Sequence, residues 1–85
     1  KIRKRVLSMW IRNQDGKSLT DCDSFAVERF FEQYEVVTFN RSGISVALGI
    51  YSSEEKALRV LDEIQEWYEC SYGETFQMPQ DEEDF

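Results

Sequence analysis

Along residues 6–12 apolar and polar positions alternate. Leu7, Met9 and Ile11 share one side, and Ser8, Trp10 and Arg12 share the other. This period-2 pattern predicts a strand with its first set in a core and Trp10 on the far face. Asn13-Gln14-Asp15-Gly16 follows. Asp-Gly supplies the positive φ that a tight hairpin needs, so residues 17–22 are expected to return as a second strand with Leu19 facing inward. Residues 34–40 (YEVVTFN) and 44–51 (ISVALGIY) read as two further strands, joined by a turn at Asn40-Arg41-Ser42-Gly43. Gly49 within the second of these predicts a bulge or a close approach of backbone. Residues 23–34 fit two patterns. Phe25, Val27, Arg29 and Phe31 alternate as in a strand, whereas Ala26, Val27, Phe30, Phe31 and Tyr34 fit a helical face. The aromatic and β-branched content favours the strand.

The plainest element is residues 51–68, YSSEEKALRVLDEIQEWY. Ser52 can cap the helix start, and Glu55 can reach back to the Ser52 amide to complete a capping box. Glu54 and Glu55 stand at the positive end of the helix dipole. Ala57, Leu58, Leu61, Ile64 and Tyr68 then recur on one face, with Val60 and Trp67 widening it. Gly73 stands beyond the end as a candidate terminator. The opposite face carries Arg59 among acids, and Asp62, Glu66 and Glu69 form an acidic stripe there. Residues 74–78 are expected to form a short last strand stopped by Pro79, and residues 80–85 a disordered acidic tail.

These elements predict an α+β fold. One domain over residues 1–79 would hold an antiparallel sheet of four to five strands, with one long amphipathic helix packed on one face. A chain of 85 residues supports one modest core. Its 41% hydrophobic and 32% charged composition is that of a globular domain. No apolar run approaches the roughly 18 residues of a membrane span. The basic start precedes only a short apolar stretch containing Arg12, unlike a signal peptide. A cytoplasmic location is therefore expected, with Cys22 and Cys70 reduced and Cys70 partly buried.

Charge changes the picture. The net value of −7 is unevenly spread: residues 1–17 hold six basic groups and one acid, while residues 52–85 hold two basic groups and eleven acids. The chain could pair its own ends or offer two surfaces to two partners.

The residue inventory excludes several chemistries. With no His in the chain, no His-based triad, general base or zinc ligand set can be assembled. The four glycines are scattered and form neither a P-loop nor a dinucleotide fingerprint. Asp21 and Asp23 flank Cys22, which disfavours its thiolate and argues against a nucleophile. Turn chemistry explains the two acids better than a cation site. No enzyme activity, cofactor or metal is expected.

Two partner classes remain. A protein partner could take the aromatic-rich 25–34 segment, an exposed sheet edge, Trp10, or the helix stripe of Asp62, Glu66 and Glu69. Alternatively, nucleic acid could be bound by Lys1, Arg3, Lys4 and Arg5, with Trp10 stacking on a base. Six Phe, four Tyr and two Trp are many for a monomer of this size to bury, so a homodimer would also cover them.

Three blocks add a resemblance: MWIRNQDGKSL (residues 9–19), LGIYSSEEKALRVLDEIQ (48–65) and FQMPQDEE (76–83). In this order they resemble small proteins of Gram-positive bacteria and their phages. The resemblance implies a bacterial, mobile-element setting and transfers no catalytic residue. The expectation is a non-catalytic protein-interaction module, a phage or prophage accessory protein. The alternatives are a nucleic-acid binder using the basic N-terminal arm and an acidic inhibitor of a host nucleic-acid-handling or defence protein.

Overall fold

The computed structural model describes residues 9–70 and 74–81. The basic arm, Gly73 and residues 82–85 lie outside them. The chain runs β1 (Met9–Arg12), β2 (Leu19–Cys22), β3 (Ala26–Phe30), β4 (Gln33–Phe39), β5 (Ser45–Tyr51), α1 (Glu54–Cys70) and β6 (Phe76–Gln77). The architecture is α+β, and residues 26–30 are strand. Instead of a single antiparallel sheet, the strands form two three-stranded sheets, ordered β2-β1-β6 and β3-β4-β5. β6 pairs with β1 in parallel, and the Met78 amide extends that ladder to the Arg12 carbonyl at 3.1 Å. β1 offers two edges and β2 covers only one, so the returning chain satisfies the other.

Both tight turns use glycine as the sequence implied. Gly16 (φ 75°) and Gly43 (φ 82°) occupy the left-handed region. The Asn40 side-chain oxygen accepts from the Ser42 and Ile44 amides at 2.9 and 3.0 Å, which fixes the second turn. The first turn is longer than a two-residue loop: the Asn13 amide donates to the Ser18 carbonyl, and β2 starts at Leu19 opposite Arg12. That phase puts Thr20 and Cys22 on the core side. Leu19, expected inside, is instead 52% exposed on the same face as Trp10.

The helix packs on the β3-β4-β5 sheet through the face of Ala57, Val60 and Ile64, all buried. Its inner stripe runs through these residues to Trp67, so Leu58 and Tyr68, expected in the core, are 44% and 40% exposed at its margin. Val36, Leu48 and Tyr51 from this sheet meet Met9, Ile11, Cys22, Phe76 and Met78 from the other in one core. Burial of each Val or Ile here is worth about 1.5–3 kcal/mol. Trp67 and Phe76 meet edge to face, with centroids 5.7 Å apart, and lock the end of α1 to β6.

The cap differs from the expected one. The Ser53 hydroxyl, not that of Ser52, accepts from the Lys56 amide at 3.2 Å. Lys56 thus fills the position a capping box would give to an acid. Ser52 is engaged elsewhere: its amide and hydroxyl donate to the Asp81 carboxylate at 2.8 and 3.2 Å. Lys56 Nζ reaches the Asp81 carbonyl at 2.9 Å and its carboxylate at 3.7 Å. Gln80 and Asp81, expected in a disordered tail, therefore belong to the folded body, since Gln80 also donates to the Gln14 carbonyl at 2.8 Å.

Gln14 joins the two sheets. Its amide donates to the Leu48 carbonyl at 2.9 Å, and its side chain donates to the carbonyls of Ile50 and Pro79. Leu48 is the extra residue of a bulge in β5, between Val36↔Gly49 and Val37↔Ala47. Beside it Gly49 makes the close approach: a Cβ there would meet the Tyr51 hydroxyl at 2.9 Å. Among the described residues no helix is long and apolar enough to cross a membrane.

Candidate functional site

β3 and β4 alternate in antiparallel register from Ala26↔Val37 to Phe30↔Gln33, which leaves Phe31 and Glu32 as a two-residue loop. Such loops need positive φ at a central residue, normally supplied by Gly or Asn. Here Phe31 supplies it, at φ 57°. A bulky L-residue in this region costs about 1–2 kcal/mol. The ring returns nothing by burial, because Phe31 is 80% exposed and Phe30 is 46% exposed. The two rings meet edge to face with centroids 4.6 Å apart, forming one apolar knob at the hairpin tip.

The tip is propped from one side. Arg29 Nε donates to the Phe31 carbonyl at 3.0 Å, and its guanidinium carbon lies 5.8 Å from the Tyr34 ring centroid. The opposite side of the hairpin carries Glu28 directly across from Glu35. Burial pushes the Glu35 carboxyl above its ordinary value, and Glu28 adds to the rise. Phe39, 36% exposed, lies on the same face of β4 as Glu35.

A concavity lies between α1 and the segment that follows β2. It is a groove of about 390 Å³ lined by Met9, Cys22, Phe25, Leu61, Ile64 and Tyr68. Cys22 is buried and Cys70, expected partly buried, is exposed; both are free. Burial pushes the Cys22 thiol up to about 11, and Asp21 and Asp23 add to it against the neighbouring Thr38. A raised thiol of this kind stays protonated near neutral pH, which disfavours the thiolate.

The residues singled out from sequence fall on separate faces. Trp10 is 50% exposed on β1, turned from the core. Asp62, Glu66 and Glu69 are exposed on α1, where Gln65 donates to Glu69 at 3.2 Å. Lys1, Arg3, Lys4 and Arg5 lie outside the described residues. The 25–34 segment contains the knob, but its turn carries no glycine or asparagine to announce it. Neither AVERF nor QYEVVTF alternates strictly, so the local pattern does not mark the two residues between them as a turn. Among the described residues no three His, Cys, Asp or Glu side chains are grouped to hold a metal ion. Compared with protein families, curated proteins and solved structures, the chain has no match.

Proposed function

We propose that this chain is a non-catalytic protein-interaction module whose contact element is the β3–β4 hairpin tip. One observation carries the reading: Phe31 holds a left-handed backbone conformation while leaving 80% of its surface to solvent. Folding gains only the edge contact with Phe30 from a large aromatic side chain there, and a glycine would serve the turn better. A strained, exposed residue of this kind is explained by what it meets outside the chain. Paired aromatics are also the side chains that anchor protein interfaces, because they bury a large area with few rotors to fix. A phage or prophage accessory role in a bacterial cytoplasm is the setting proposed from the sequence resemblance.

The test is affinity capture from nuclease-treated bacterial lysate, comparing the tagged protein with its Phe31→Ser variant. The reading requires a protein retained by the first and lost by the second. Equal retention by both variants would refute it. Partners that vanish on nuclease treatment would favour nucleic acid instead.

A further inference from the structure

The outer face of the β3–β4 hairpin departs from what a sheet prefers. Glu28 and Glu35 stand opposite each other, and like charges in that relation destabilise a strand pair. Arg29, the cation of the hairpin, cannot offset them. It points to the other face, where the Phe31 carbonyl and the Tyr34 ring hold it. Neither Glu28 nor Glu35 has an ion-pair partner among the described residues. On the same face, Phe30 follows Glu28 on β3, Val37 and Phe39 follow Glu35 on β4, and Ile50 stands opposite Glu35 on β5. Gln33 stands opposite Phe30 on the tip side of the pair and Val37 is buried, so the acids are flanked at the surface by Phe30, Phe39 and the half-buried Ile50.

We infer that the partner segment docking at the tip presents a lysine or arginine between apolar side chains, seated over the Glu28–Glu35 pair. This rests on the interaction reading above and gives the partner its chemistry. A cation placed between the two carboxylates removes their mutual repulsion on binding. The apolar neighbours exclude water from the pair, which strengthens the attraction. The pair then selects against acidic and purely apolar segments, while Phe30 and Phe31 supply the buried area.

The probe is a displayed random-peptide library selected on the full chain. Selected peptides are then synthesised and titrated against the wild type, the Phe31→Ser variant and the Glu28→Gln/Glu35→Gln variant. The inference predicts peptides with a Lys or Arg flanked by apolar residues, binding about tenfold more weakly to the double Gln variant, as expected for loss of a charge-assisted contact. Replacing the peptide's own cation by norleucine should abolish that difference. The Gln variant relieves repulsion in the free protein, so weaker binding cannot come from unfolding. Peptides that need Phe31 but bind the Gln variant equally well would overturn this inference and leave the tip reading standing. Peptides indifferent to Phe31→Ser would overturn both. A selection that enriches no peptide would also count against the inference.

Discussion

The side-chain amide of Gln14 pairs with the backbone of Ile50 as a neighbouring strand would. Its Oε1 accepts from the Ile50 amide at 2.8 Å, and its Nε2 donates to the Ile50 carbonyl at 3.1 Å. One side chain thus closes the free edge of β5 and ties the two sheets together. Gln14→Ala leaves the Ile50 amide and carbonyl without this partner and removes one of the two donors to the Pro79 carbonyl, which keeps the Tyr51 hydroxyl. The expected loss is about 2–3 kcal/mol by denaturant unfolding. Gln14→Glu should be no better, since a carboxylate cannot donate to the two carbonyls.

Gly49→Ala should destabilise by about 1–3 kcal/mol, because the new methyl group is overpacked against a side chain that cannot retreat. Tyr51 is fully buried, and its hydroxyl donates to the Pro79 carbonyl at 2.7 Å. Since that hydroxyl is the nearest atom to the added Cβ, Gly49→Ala and Tyr51→Phe together should cost less than the sum of the two. Thermal unfolding of the four proteins of the cycle measures the coupling.

Phe31→Gly should leave stability unchanged or raise it by about 1 kcal/mol, as relief of the positive φ outweighs the lost ring contact. Partner capture should fall in the same variant. Stability and binding moving in opposite directions would distinguish a contact residue from a structural one. A marked drop in stability would show that the ring serves the fold.

Two carboxylates give opposite pH dependences. The Ser52 amide, with Lys56, holds Asp81 below the ordinary carboxylate range. Its stabilising contribution is present at neutral pH and disappears as pH falls through the folded value, so Asp81→Asn should cost stability at pH 7 and little in strong acid. Glu35 is raised by burial and by Glu28. Its folded form takes up a proton more readily than the unfolded chain. Glu35→Gln should therefore stabilise at neutral pH by up to about 1 kcal/mol, and the gain should vanish below the carboxylate range. Urea unfolding at several pH values resolves both signs.

Where the sequence was informative, local physics decided the structure. Gly16, Gly43 and Gly49 announced two turns and a bulge because only glycine suits those positions, and the helix from Glu54 was written in its apolar spacing. What the sequence concealed depended on distant partners. Ser52 has the chemistry of a cap, but Asp81 claims it, so the cap moves to Ser53. Leu19 has the chemistry of a core residue, yet the first turn is long enough to reverse its face. Gln14 reads as a turn residue, and nothing local indicates that it will serve Ile50, 36 positions away. The tip was hidden for the opposite reason: Phe31 stands where local rules ask for glycine. Departures of this kind mark places where another demand overrides folding preference.

The most direct test of the tip places a photoreactive benzophenone side chain at position 31, which preserves an aromatic there, and irradiates the protein in nuclease-treated bacterial lysate. The same group at position 10, in place of the exposed Trp10, serves as the comparison. Contact through the hairpin predicts a discrete adduct with one protein from position 31 and none from position 10. An adduct from position 10 alone, or no adduct from position 31, would contradict it.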